Sequence, residues 1–101
     1  MPTPKYYLYN YNLNLMQISV EVTFTPLQDA YEPQIIAFIK KLRAAGFTVL
    51  ENPLSTQVYG AYDALMGMLQ KEIKVALQGV ESGLMYIKIV KSDRSDYEPN
   101  F

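Results

Sequence analysis

Residues 47–60 read FTVLENPLSTQVYG, and this stretch decides the fold. Apolar and β-branched residues stand on both sides of Asn52-Pro53, which predicts one strand over 47–51 and another over 54–60. So short a turn permits only a hairpin, so the two strands are predicted to be antiparallel. Three hydrogen-bonding side chains stand in a row within the second strand: Ser55, Thr56 and Gln57.

A helix is predicted before this hairpin. Ile35, Ile39 and Leu42 recur at the spacing of one helical face, which is typical of a helix packed on a sheet. Pro33 suits the first turn, where its missing N–H is no loss. Gly46 suits the position just after the end of the helix.

A second helix is predicted after the hairpin. Asp63 lies near its start, where a negative charge is favourable, and Gly79 ends it. Gly67 inside this helix costs about 1 kcal/mol relative to Ala, which predicts that close packing requires a glycine there. Its apolar stripe consists of Met66, Leu69, Ile73, Ala76 and Leu77.

Two further strands complete the pattern. MQISVEVTFT (16–25) and LMYIKIVK (84–91) alternate apolar with polar residues, as half-buried strands do. The element order is therefore βαββαβ. Right-handed crossovers around the hairpin predict an α+β, ferredoxin-like sandwich with a four-stranded antiparallel sheet in the order 4-1-3-2. Both helices then cover one face of the sheet and leave the other face open.

The chain divides into three parts. From Tyr9 to Leu15, Tyr or Leu alternates with Asn. From Met16 onward the apolar residues take the even-numbered positions instead, and a continuous strand cannot change faces in this way without a bulge. We predict that residues 1–15 are a Tyr/Asn-rich leader, either disordered or an added edge strand, with Met16 as a candidate start. Residues 16–91 form the domain, and residues 92–101 are predicted to be a polar, mobile tail.

Composition excludes several kinds of chemistry. The 101 residues are 50% hydrophobic, which suits one small domain. There is no cysteine and no histidine, so thiol nucleophiles, thiolate metal sites and the commonest general base are absent. A net charge of −1 argues against a nucleic-acid partner or a polybasic membrane contact. No apolar run approaches the roughly 20 residues of a membrane span, so we expect a cytoplasmic protein. We also expect no cofactor.

Side-chain parity gathers polar groups on the open face. On the first strand, Glu21 and Thr23 point away from the helices, and Met85, Ile87 and Ile89 of the last strand are predicted to point toward them. Leu54, Thr56 and Val58 of the third strand are likewise predicted to face the helices. The remaining predicted members of the open face are Ser55, Gln57, Tyr59, Tyr86 and Lys88. The simplest interpretation is a solvated face with a Glu21–Lys88 ion pair worth a few tenths of a kcal/mol.

The chain resembles a known family over about residues 16–91. The segments that carry the resemblance are ISVEVTFTPL (18–27), IIAFIKKLRAAGF (35–47), NPLSTQVYGAYDALMGML (52–69) and LMYIKI (84–89). They resemble the YkoF-like thiamine/hydroxymethylpyrimidine-binding family, and more closely its single-domain thiamine-binding protein relatives. The resemblance implies a ferredoxin-like fold, assembly into homodimers or homotetramers, and binding of thiamine or its pyrimidine moiety without catalysis.

The resemblance also implies a ligand site. It identifies Glu21 as the strand-1 acid and Ser55, Thr56, Gln57 and Gly60 as the strand-3 motif. A carboxylate can pair with the ring nitrogen and amine of an aminopyrimidine, and a tyrosine can lie against its ring. Lys88 would repel the thiazolium unless Glu21 neutralises it. The predicted ligand-binding residues are Glu21, Thr23, Ser55, Thr56, Gln57, Tyr59, Tyr86 and Lys88.

Three other functions stay open. An enzyme would need Glu21 or a lysine as its base, and no paired carboxylates or nucleophile–base spacing accompany them. RNA-recognition modules use the same open face but stack bases on aromatics of strands 1 and 3, where this chain offers only Tyr59. A structural module, whose open face is only an oligomer interface, is equally consistent with the tyrosine content.

Overall fold

The computed structural model describes residues 15–101. The predicted leader, residues 1–15, lies outside the described residues apart from Leu15. Neither of the two helices in the described part has the length and apolar character needed to cross a membrane. The elements are β1 (Gln17–Pro26), α1 (Glu32–Ala44), β2 (Thr48–Glu51), β3 (Thr56–Ala61), α2 (Tyr62–Gln78) and β4 (Gly83–Val90).

The four strands form one antiparallel sheet in the order β2-β3-β1-β4. This is the predicted order 4-1-3-2 read from the other edge, and both helices pack on one face. The predicted α+β, ferredoxin-like fold is therefore confirmed. Gly46 has a φ of 91° just after α1, which is the left-handed conformation that a glycine adopts most readily.

The core lies between β1 and the helices. Ile18, Val20 and Val22 are each 1% exposed, whereas Leu42 of α1 and Leu65 of α2 are fully buried against them. Burying one such side chain contributes about 1.5–3 kcal/mol. The alternation of β1 therefore sets which face of the sheet the helices cover.

The turn between β2 and β3 is longer than predicted. The side-chain Oδ1 of Asn52 accepts hydrogen bonds from the backbone N–H groups of Leu54 (2.8 Å) and Ser55 (3.0 Å). The backbone N–H of Asn52 in turn donates to the carbonyl of Ser55 at 3.1 Å. These local bonds replace strand pairing, so β3 begins at Thr56. The prediction that Leu54 faces the helices was wrong, since the residue lies in the turn and is 85% exposed.

The edge strand β4 exposes more apolar surface than predicted. Ile87 pairs with Val22 and Ile89 with Val20, so both isoleucines stand on the predicted face. They are nevertheless 43% and 46% exposed. The helices pack mainly over β1, β2 and β3, and therefore do not cover this edge.

Gly60 is closely packed against another side chain, whereas Gly67 has open space around it. A Cβ atom built on Gly60 would lie 2.6 Å from the ring Cδ1 of Phe47, so a glycine lets this ring pack beneath β3. A Cβ atom on Gly67 would meet nothing within 4 Å. The prediction that close packing requires Gly67 was wrong.

These surroundings predict opposite effects of the same substitution. Gly60→Ala should lower the free energy of unfolding by about 1–3 kcal/mol, because the methyl group displaces Phe47. Gly67→Ala should raise it by up to about 1 kcal/mol, because alanine is the better helix former. Urea denaturation of both variants measures the two changes. Equal destabilisation by the two substitutions would contradict this account.

Candidate functional site

The register of the sheet arranges polar side chains in rows across the open face, which is the face opposite the helices. Glu21 of β1 pairs with Gln57 of β3 on one side and Lys88 of β4 on the other. Adjacent strands lie about 4.8 Å apart, so side chains within a row are neighbours. The preceding row consists of Ser19, Tyr59 and Val90.

A chain of hydrogen bonds holds the carboxylate of Glu21. The Ser55 hydroxyl donates to Glu21 Oε2 at 3.0 Å, and the amide Nε2 of Gln57 donates to Ser55 Oγ at 2.7 Å. Within residues 15–101, neither Oε1 of Glu21 nor the side-chain carbonyl of Gln57 is engaged in a hydrogen bond. The carboxylate and the amide are thus fixed side by side with bonding capacity to spare.

Lys88 does not neutralise Glu21. In the described part of the chain, the ion pair within 4.0 Å is that of Arg43 and Glu51, at 2.6 Å, which links the end of α1 to β2. The ion pair predicted between Glu21 and Lys88 is therefore not formed, although the two residues are direct neighbours in the register. Both charged groups remain available to a ligand.

The C-terminal tail returns to the open face. The Ser19 hydroxyl donates to the carbonyl of Ser92 at 2.7 Å and accepts a hydrogen bond from the backbone N–H of Arg94 at 2.9 Å. The Nε–H of Arg94 donates to Ser92 Oγ at 2.7 Å. Ser19 is only 8% exposed for this reason, although it stands on the open face. The start of the predicted mobile tail is thus bonded to the centre of the sheet.

A cleft lies between this tail and the two rows of side chains. It has a volume of about 140 Å³, less than the roughly 300–1,000 Å³ of typical small-molecule sites, so this chain alone encloses only part of a ligand. Val90 contributes its apolar lining, and Val20, whose side chain is buried beneath the helices, borders it from β1. The polar side chains that line it are Ser19, Glu21, Gln57, Tyr59, Lys88 and Arg94.

The phenol of Tyr59 is the aromatic group of the cleft. Partial burial raises the pKa of Tyr59, and the negative charges of Asp93 and Glu21 raise it further. Asp93 keeps its charge because hydrogen bonds from the hydroxyl and the backbone N–H of Ser95 lower the pKa of its carboxyl group. Tyr59 therefore stays a neutral hydrogen-bond donor at physiological pH.

Four of the eight predicted ligand residues line the cleft, namely Glu21, Gln57, Tyr59 and Lys88. Ser55 lies next to them and supports the carboxylate of Glu21.

The other three predicted residues lie elsewhere. Thr23 pairs with Tyr86 one row further along β1, outside the cleft. Thr56 pairs with Val22, faces the helices and is 5% exposed. The sheet itself separates Thr56 from the cleft.

Sequence reasoning missed the contributions of Ser19, Val90 and Arg94. The parity of β1 places Ser19 on the open face, but nothing in its position indicates that the tail covers it. One signal was present: Ser19 is smaller than Gln17 and Glu21, its neighbours on the same face of β1, which leaves room for a second segment to cross the strand there.

Comparisons with known proteins bear on the fold. No protein-family profile matches the chain, and no curated protein matches it. A Thermotoga maritima structure, named provisionally as a thiamine biosynthesis/salvage protein, is 17% identical, with 72% of this chain and 81% of that chain covered and a TM-score of 0.67.

Two further solved structures are similar. A domain of unknown function, DUF77, from Bacillus cereus is 16% identical, with 85% of this chain and 80% of that chain covered and a TM-score of 0.65. A Streptococcus pneumoniae protein is 25% identical, with 80% of this chain and 92% of that chain covered and a TM-score of 0.64. These likenesses show a shared fold.

The contacts of Ser19 predict how the tail is held. Ser19→Ala removes both hydrogen bonds to the tail, each worth about 0.5–1.5 kcal/mol, so the amide of Arg94 should exchange roughly ten-fold faster or more. Hydrogen–deuterium exchange measures this rate. Ser55→Ala is the matched control, because Ser55 lies on the same face without touching the tail. Unchanged exchange at Arg94 in Ser19→Ala would contradict the proposed attachment.

Proposed function

We propose that this chain is a non-catalytic binding protein whose cleft takes an aminopyrimidine, either thiamine or its hydroxymethylpyrimidine moiety. The observation that carries the proposal is the carboxylate of Glu21 fixed beside the amide of Gln57, with Tyr59 in the same cleft. The provisional name of the Thermotoga maritima protein adds support for a thiamine-related ligand.

The polar edge of an aminopyrimidine matches these two side chains. The exocyclic amine donates to the unengaged Oε1 of Glu21, and the second hydrogen of Gln57 Nε2 is available to the ring nitrogen. Such a pair of hydrogen bonds, one of them to a charged acceptor, provides both affinity and orientation. The ring of Tyr59 supplies an aromatic surface for the pyrimidine.

The chemistry of the cleft favours binding over catalysis. The Ser19 hydroxyl is engaged on both sides by the tail, so it is not available as a nucleophile. The raised pKa of Tyr59 keeps its phenol protonated at physiological pH, so the deprotonated form that could act as a general base is scarcely populated. Within residues 15–101, the carboxylate of Glu21 contacts the Ser55 hydroxyl, which also accepts a hydrogen bond from Gln57, so both side chains hold the acid in place and no second titratable group bonds to it.

Ligand-induced stabilisation tests the proposal. Thiamine or hydroxymethylpyrimidine at 100 times its Kd should add about 2.7 kcal/mol to the stability of the fold. Glu21→Gln should abolish the shift, because an amide supplies only one acceptor atom and no charge. Thermal melts in the presence of each compound measure the effect.

Glu81→Gln is the matched control, since Glu81 is exposed in the turn before β4. It should keep the full ligand-induced shift. Normal thiamine and pyrimidine binding by Glu21→Gln would overturn the assignment of the site.

We also propose that the chain self-associates through β4. This edge strand is eight residues long, against four for β2 at the other edge. It exposes Tyr86 (66%), Ile87 (43%) and Ile89 (46%) beside unpaired backbone groups. A long apolar edge of this kind is a template for another strand.

The sequence of β4 favours a second copy as the occupant. A two-fold axis perpendicular to the sheet pairs β4 with itself in antiparallel fashion. Centred on Ile87, it places Ile87 against Ile87 and Tyr86 against Lys88, which permits a cation–π contact. Centred on Lys88, it would oppose two ammonium groups. The first register also brings the second copy's Tyr86 next to the row of Glu21 and completes the edge of the cleft.

Light scattering tests this assembly. The wild-type chain should form a homodimer, or a homotetramer where two such dimers stack, and Ile87→Asp should convert it into a monomer. Ile36→Asp is the matched control, because Ile36 is 50% exposed on α1, away from β4. A wild-type monomer, or equal disruption by the two variants, would contradict the proposal.

A further inference from the structure

The charges of the cleft do not suit a simple cation. Three charged side chains line it, namely Glu21, Lys88 and Arg94, which sum to a formal charge of +1. Within residues 15–101, neither Lys88 nor Arg94 has an acidic partner within 4.0 Å. A ligand that excludes water from the cleft leaves this surplus positive charge without compensation unless the ligand itself carries negative charge.

A nearby acid, Asp93, offsets part of this charge, since its field reaches Tyr59 in the cleft, but within residues 15–101 it forms an ion pair with neither cation. Asp93 does not line the cleft. Its Oδ1 accepts hydrogen bonds from the backbone N–H of Ser95 at 2.9 Å and from the hydroxyl of Ser95 at 2.6 Å. These contacts hold the carboxylate within the turn of the tail.

Arg94 is positioned before any ligand arrives. Its backbone N–H is bonded to Ser19 Oγ at 2.9 Å, and its Nε–H is bonded to Ser92 Oγ at 2.7 Å. In the part of the chain that the structure describes, the terminal Nη groups make no hydrogen bond. A guanidinium with free terminal N–H groups is suited to two parallel hydrogen bonds to a phosphate.

We infer that the ligand of this site is an aminopyrimidine that carries a phosphate ester, and that Arg94 and Lys88 bind the phosphate. This inference rests on the proposed function, because it names the class of ligand for the same cleft. Glu21 and Gln57 take the aminopyrimidine edge, and the tail supplies the cation for the ester. The tail is thereby part of the binding site.

Ligand chemistry agrees with this division of roles. In hydroxymethylpyrimidine phosphate, the amine and the phosphorylated methylene stand on neighbouring ring carbons, so one small molecule presents a donor edge and an anion side by side. Glu21 and Lys88 are likewise neighbours in the register. The phosphate carries about −1.5 to −2 charges at pH 7, which more than offsets the +1 of the cleft. The thiazolium of thiamine instead adds a positive charge beside two cations.

Calorimetric titration of the full chain tests the inference with four probes: hydroxymethylpyrimidine, its phosphate ester, thiamine and thiamine monophosphate. The wild-type chain should bind hydroxymethylpyrimidine phosphate roughly 10-fold to 100-fold more tightly than the unphosphorylated alcohol. Arg94→Gln should weaken binding of the ester far more than binding of the alcohol and so remove most of this preference. The preference should also shrink as salt rises. The two thiamine compounds show whether a phosphate on the thiazolium side serves equally well.

Lys91→Gln is the matched control, because it removes the same charge from an exposed residue outside the cleft. It should keep the full preference. Thermal melts of both variants report whether each is folded.

Two results would overturn the inference alone: binding of the alcohol as tightly as the ester, or equal loss of preference in Arg94→Gln and Lys91→Gln. If none of the four probes binds, the proposed function is overturned, and with it this class of ligand. Titration with inorganic phosphate, followed through the backbone amide resonances of Ser19 and Lys88, which both variants retain, separates these cases. A shift that only Arg94→Gln abolishes supports the anion site itself.

Discussion

The two-residue period of β1 is the constraint on which both the core and the site depend. Its even-numbered residues Ile18, Val20 and Val22 are buried against the helices, so Glu21 must stand on the open face. A shift of one residue would expose three apolar side chains and bury a carboxylate. The burial energy of the core is therefore also what positions the acid of the site, which explains how an exposed glutamate obtains a well-defined place.

Local patterning accounts for most of what the sequence predicted correctly. The sheet order follows from the hairpin around Asn52-Pro53 and from two helices of ordinary length. The row of Gln57, Glu21 and Lys88 follows from parity and strand order together. In each case one period of repeat, 2 or 3.6 residues, decides which side a residue faces.

The incorrect and missed predictions involve interactions that the local pattern of apolar and polar residues does not contain. Leu54 was misplaced because the side chain of Asn52 captures two backbone N–H groups, an interaction that apolar alternation does not register. Ser19 and Arg94 were missed because they meet across a sequence separation of 75 residues. The polar composition of the tail gave no indication of the surface on which it lies. Thr56 entered the predicted ligand set through the resemblance, whereas the parity of the third strand correctly predicted that it faces the helices.

An open sheet face is a poor binding surface by itself, since water screens its charges and surrounds its hydrogen-bonding groups. In this protein the first residues of the tail change that condition. They cover Ser19, form one side of the cleft and hold a guanidinium there through two hydrogen bonds made within the chain. A ring bound against Tyr59 would be enclosed by the tail as well as by the sheet. Its interactions with the charged side chains would therefore be less screened by water than on a bare sheet. The same fold without such a tail would present Glu21 and Gln57 but no arginine, so under the proposed function the tail is the element that would distinguish a phosphorylated ligand from the pyrimidine alone.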